Sequence, residues 1–98
     1  MITKSKLKFI KGLSLKKNRI EHQCFIVEGE KSVLELLASD FEIIDLYVTN
    51  SWKTKIDFAE ITQITNNELS RISTLKSPNK VLAVVKTPMA EQEKKGGV

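Results

Sequence analysis

Cysteine and histidine are almost missing from this sequence: Cys24 and His22 are each the only residue of their kind among 98. A lone cysteine forms no internal disulfide, which suits a reducing compartment. One cysteine and one histidine cannot supply the four ligands of a structural zinc site. Long apolar runs are also lacking. The longest, Val81 to Val85, is far short of the ~20 residues that span a bilayer, so a membrane-spanning helix is excluded. The amino terminus has lysines without an apolar stretch behind them, so it is not a secretory signal. It has no arginine before Arg19, which argues against a mitochondrial presequence. A cytoplasmic protein without membrane partners is the expectation. No G-x-S-x-G elbow, glycine-rich phosphate loop or H-E-x-x-H is present either.

Acids are absent where bases are dense. Residues 1–20 hold Lys4, Lys6, Lys8, Lys11, Lys16, Lys17 and Arg19 and no acid, whereas residues 21–98 hold nine basic and twelve acidic side chains. A basic arm of +7 thus precedes a body of −3, for a net charge of +4. Such asymmetry points to a polyanionic partner. The overall composition, 41% hydrophobic and 29% charged, is that of one globular domain with a modest core.

Periodicity predicts a helix over residues 3–13, with Phe9, Ile10 and Leu13 on one side and Lys4, Lys8 and Lys11 on the other; Leu7 and Lys6 break the pattern. Residues 15–23 are polar and basic and read as loop or irregular helix. Cys24-Phe25-Ile26-Val27 suits a buried strand. Glu28-Gly29-Glu30 turns the chain into a helix over about Lys31–Ala38, its acids near the positive end of the dipole and Val33, Leu34 and Leu37 facing inward. Glu42–Thr49 reads as a strand with Ile44, Leu46 and Val48 on one face. Asn50–Asp57 is a polar loop containing Trp52. A short strand at residues 60–64 follows, with Ile61 or Ile64 near the core. A helix capped by Asn66 or Asn67 then runs through Ile72, before a loop with Pro78. Lys80–Lys86 is the most buried strand. Strands interleaved with helices imply an α/β sandwich with part of the sheet parallel. Residues 88–98 have linker composition, leaving 1–87 as the domain.

No catalytic constellation stands out. Glu28 and Glu30 fit a helix start better than an acid/base pair. Cys24, inside an apolar run, fits an inert core thiol better than one activated by His22. Phe9, Phe25, Phe41, Tyr47 and Phe58 read as core, and Trp52 as covering the sheet end in preference to stacking on RNA. The basic residues carry the strongest signal. Lys16, Lys17 and Arg19 cluster, and Lys4, Lys8 and Lys11 precede them on one helix face. Lysines attract phosphates by releasing condensed counterions, and arginine adds fork geometry. These six residues are the candidate contacts to a polyanion, with a nucleic acid such as RNA favoured over an anionic membrane surface. Reversing Lys16, Lys17 and Arg19 together is expected to weaken RNA binding while sparing thermal stability.

Lys16-Lys17-Asn18-Arg19 followed by Phe25-Ile26-Val27-Glu28-Gly29-Glu30-Lys31 resembles the "K-x-R … F-x-V-E-G-x-K" signature of SpoU/TrmH-type RNA 2′-O-methyltransferases. Ile43–Thr49 is similar to that family's "i-x-x-L-y-v-T" strand. Ile72-Ser73-Thr74 with Pro78–Val85 is similar to its "S-x-T … P-x-x-V-L-A-V-V" segment. The resemblance covers about residues 3–88. It implies the amino-terminal substrate-binding domain of such an enzyme: a small three-layer α/β sandwich with a mixed sheet, similar to kink-turn-binding ribosomal proteins. It further implies that Lys17 and Arg19 contact RNA phosphates, and that Phe25, Glu28 and Gly29 serve mostly architecture. A knotted catalytic domain would follow, binding S-adenosylmethionine, methylating ribosomal or transfer RNA and setting a homodimer. The stretch here lacks that half, so no cofactor and no catalysis are expected of it alone. A freestanding kink-turn-type RNA-binding protein is the alternative.

Overall fold

The computed structural model describes residues 2–49, 52, 61–76 and 80–88. Eight elements follow in order: α1 (Lys4–Gly12), α2 (Lys16–His22), β1 (Cys24–Glu28), α3 (Glu30–Leu37), β2 (Ile43–Val48), β3 (Ile61–Gln63), α4 (Asn66–Ile72) and β4 (Val81–Lys86). The strands form one sheet in the order β1-β4-β2-β3. β4 is antiparallel to both neighbours, and β2 and β3 are parallel. The mixed sheet expected from the sequence is present. The loop at Pro78, Phe58 and the linker beyond Pro88 lie outside the described residues.

Alternation along β4 builds the two halves of the core. Leu82 and Val84 join Ile10, Leu13, Cys24, Tyr47, Ile64, Leu69 and Ile72 on one sheet face. Val81, Ala83 and Val85 join Val33, Leu36, Leu46, Val48 and Trp52 on the other. A strand covered on both faces has no polar side to show, which is why β4 reads as an unbroken apolar run. Helices α1 and α4 therefore pack on one face and α3 on the other, giving three layers. Trp52, 1% exposed, lies in the α3-side core, in line with the covering role.

Several local expectations change. α2 is a regular helix. On α3 the buried positions are Val33 and Leu36, while Leu34 is half exposed. The spacing i, i+3 aims both at the sheet, whereas i+1 turns Leu34 about 100° away. In β2 the pairing jumps from Ile43–Val85 to Asp45–Val84, which leaves Ile44 unpaired in a bulge. The bulge moves Ile44 to the α1 side, away from Leu46 and Val48. Leu7 joins the α1 core face as well, and Phe41 is exposed with its edge against Phe25. The α4 cap is Thr65: its Oγ1 accepts from Glu68 N at 3.0 Å, and Glu68 Oε1 accepts from Thr65 N at 2.9 Å. That reciprocal box outranks either asparagine, because it satisfies two otherwise orphan donors. The backbone N–H groups at the Glu68 carboxylate hold its pKa below the ordinary value.

Candidate nucleic-acid interface

The basic arm folds into two consecutive helices. Thr3 opens α1 by accepting from Lys6 N at 3.2 Å, and Ile10 and Leu13 bury one side. Lys4, Lys8 and Lys11 follow i, i+4, i+7 spacing and form an exposed stripe. Lys6 stands apart from them, its ammonium 3.0 Å from Asp45 Oδ2. Lys16 and Lys17 are exposed on the first turn of α2, which has no acid there. Among the described residues, none of these five free lysines has an acidic partner.

Helix α2 buries no residue; polar ties hold it in place. Asn18 Nδ2 donates to Gly12 O at 2.8 Å, and Arg19 Nη1 donates to Leu13 O at 2.8 Å and Ser14 O at 2.9 Å. Those three carbonyls lie at or just beyond the carboxyl end of α1, where a cation is favoured; Gly12 O also accepts from Leu15 N at 3.1 Å. At the far end of α2, His22 meets Phe9 edge-on with ring centroids 5.1 Å apart. Gln23, in the left-handed region at φ 58°, ends the helix. Arg19 therefore carries a structural duty that the sequence did not reveal. At about 100° per residue, Lys16 lies about 60° from Arg19 around α2 and Lys17 about 160° away, so the basic motif presents two sides.

Glu28 also differs from its expected place at a helix start. It ends β1, and its carboxylate holds the segment after α4: Oε1 accepts from Ser73 Oγ, and Oε2 accepts from Thr74 N at 3.0 Å and Thr74 Oγ1 at 2.7 Å. Gly29 then turns the chain at φ 99°, a conformation open to glycine at little cost, and caps α3 with its carbonyl. Its N–H donates to Val81 O at 3.1 Å. Glu30 occupies the first turn of α3 and pairs with Lys80 at 3.2 Å. Glu28 and Gly29 thus each make specific bonds within the fold. Phe25 packs against the α3-side core and meets Phe41 edge-on at 5.9 Å.

These ties open a cleft of about 290 Å3 lined by Leu13, Ser14, Arg19, Phe25, Ile26, Glu28 and Thr74. It gathers residues from three motifs far apart in sequence: the basic K-x-R, the F-x-V-E-G and the Ser-Thr pair. Leu13, Ser14 and Thr74 carry no site signal of their own in the sequence. The Ser73-Thr74 pair lay inside a recognised segment, and two adjacent hydroxyls after a helix were the available signal. Cys24, by contrast, is core: burial pushes its thiol pKa up, and Sγ donates to His22 O at 3.2 Å. No helix of the described residues is long and apolar enough to cross a membrane, and no group of His, Cys, Asp and Glu among them could hold a metal ion.

Comparison with known proteins agrees with this fold. Residues 4–83 match the model of the MRM3-like substrate binding domain. A structure assigned to the TrmH family of RNA methyltransferases from Porphyromonas gingivalis superposes with a TM-score of 0.81 and 29% identity, covering 90% of this chain and 36% of that one. An AdoMet-bound rRNA methyltransferase from Sinorhizobium meliloti gives 0.70 and 23%, over 90% and 35% of the two chains. An RNA 2′-O ribose methyltransferase gives 0.75 and 16%, over 88% and 36%. A search of the curated proteins gives no match. The chain spans about a third of the length of these structures. It belongs to the MRM3-like substrate-binding domains, the fold that accompanies SpoU/TrmH-type RNA methyltransferases.

Proposed function

We propose that this domain binds ribosomal or transfer RNA and holds it for ribose 2′-O-methylation by a catalytic domain joined through a linker beginning near residue 88. One observation carries the reading: five lysines without acidic partners among the described residues are exposed on two consecutive helices, the second of which also contributes Arg19 to a cleft shared with the motif residues Phe25, Glu28 and Thr74. Lys4, Lys8, Lys11, Lys16 and Lys17 are the phosphate contacts in this reading, and Arg19 joins them through the donors that its carbonyl bonds leave free. Phosphate contacts position a nucleic acid without reading its sequence, which suits a domain that presents RNA to a separate catalytic centre.

S-adenosylmethionine belongs in this reading to the catalytic part of a cytoplasmic, homodimeric enzyme. The test is the affinity of this chain for structured RNA across a salt series. Binding that weakens steeply with salt, by a slope of roughly 0.7–0.9 per phosphate contact, supports the proposal. Salt-insensitive or absent binding refutes it.

A further inference from the structure

The cleft at Arg19 and Glu28 has a composition that phosphate attraction does not explain. Its lining includes apolar Leu13 and Ile26, and its polar part contains a carboxylate as well as a guanidinium. Glu28 would repel a phosphate entering there, so an anion belongs outside the cleft. The Arg19 plane is held at Nη1 by two carbonyls, which leaves a fixed flat surface of the kind on which unstacked RNA bases lie. A carboxylate has about four acceptor positions. Ser73 and Thr74 occupy three at Glu28, leaving one on Oε1. Carboxylates accept from exocyclic amines of bases. Lys16, about 60° from Arg19 on α2, is suited to the flanking phosphate.

We propose that this cleft receives one unpaired base extruded from the RNA, its ring against the Arg19 plane and its amino edge toward Glu28. The inference rests on the RNA-binding reading above and adds a base-specific site to it. The occupant is a base bearing an exocyclic amine, preferred over uracil.

The probe is an RNA hairpin with a single bulged cytidine, compared with the same hairpin carrying an abasic bulge. Fluorescence anisotropy with this 98-residue chain gives the two affinities. The cytidine bulge binds about tenfold more tightly, the scale of one stacked base. Ser14→Phe, which places a ring at the cleft mouth, brings the two affinities to within about twofold while the salt slope is unchanged. Equal affinities for wild type, with steep salt dependence retained, overturn the base site and leave the RNA reading standing. Salt-independent or absent binding to both hairpins overturns the RNA reading itself. Should Ser14→Phe disturb folding, 2-aminopurine at the bulge decides with wild type alone. A saturating change in its emission supports extrusion into the cleft, and unchanged emission on binding overturns it.

Discussion

Reversing Lys16 and Lys17 separates binding from stability, and removing Arg19 does the opposite. Lys16 and Lys17 stand on the first turn of α2, where the helix dipole is positive and cations are disfavoured. Lys16→Glu/Lys17→Glu relieves that conflict, so stability is unchanged or rises by about 0.3–1 kcal/mol. RNA affinity meanwhile falls by about tenfold or more and the salt slope by about 1.5, near 0.7 per lost contact. Arg19 makes two charge-assisted bonds to the end of α1, at 2.8 and 2.9 Å. A hydrogen bond to a charged group is worth about 1.5–3 kcal/mol when well buried. Arg19 is half exposed and water reaches Ser14 O, so about 1–2 kcal/mol in total is the reasoned loss for Arg19→Ala. For a domain of this size that lowers the unfolding midpoint by about 5–10 °C. Trp52, the single tryptophan and buried at 1% exposure, reports unfolding by its fluorescence. An unchanged midpoint in Arg19→Ala refutes the structural tie. Undiminished RNA affinity in the lysine double variant refutes the interface. The triple reversal that includes Arg19 mixes both effects and decides neither.

Gly29→Ala places a Cβ at φ 99° and is expected to cost about 1–3 kcal/mol, read from denaturant midpoints; a loss below half of that contradicts the turn geometry. Tyr47, the only tyrosine, has its pKa pushed up to about 12 by burial and by neighbouring Asp45. Its neutral form is favoured by folding, so that stability contribution is complete below the ordinary value of 10 and is lost as pH rises toward 12. Phenolate absorbance should therefore lag a free tyrosine in alkali, and ordinary titration of the folded protein would contradict the burial. Cys24 is expected to resist a thiol reagent under native conditions and to react at once in denaturant; fast native labelling would show that the thiol is not core.

Apolar pattern made most of the fold legible, and polar bonding hid the rest. β4 announced itself because both faces of a central strand must be apolar, and α1 did so through Ile10 and Leu13. α2 escaped a firm assignment because it buries nothing: Asn18 and Arg19 anchor it to carbonyls of the preceding helix, and such bonds leave no periodic trace. Simple alternation sets Ile44 on the face of Leu46 and Val48, and one unpaired residue in a bulge reverses that. At the candidate site the charges were legible as charges. Their sorting into free lysines, the Lys6–Asp45 pair and the tied Arg19 depends on contacts across 39 and 6 residues, which spacing alone does not encode.

Arg19 and Glu28 line one cleft and form no ion pair with each other. Each is tied to neutral groups instead, Arg19 to two carbonyls and Glu28 to two hydroxyls and a backbone N–H. The difference matters for recognition. A paired arginine and glutamate would cancel much of each other's field and meet a ligand as one weakly polar surface. Held separately, the guanidinium keeps its positive plane and the carboxylate keeps one acceptor position, so opposite polarities remain available in one cleft. Such a wall discriminates: it disfavours a bare phosphate at Glu28, disfavours a cation at Arg19, and suits a neutral ring with an amine on its edge. The same ties fasten α1–α2 to one another and β1 to the segment after α4, so the two charges are fixed by the scaffold before any RNA arrives. Preorganisation of that kind removes ordering cost from binding. It gives Arg19, Glu28 and Thr74, residues with no catalytic chemistry, a shared place in one cleft.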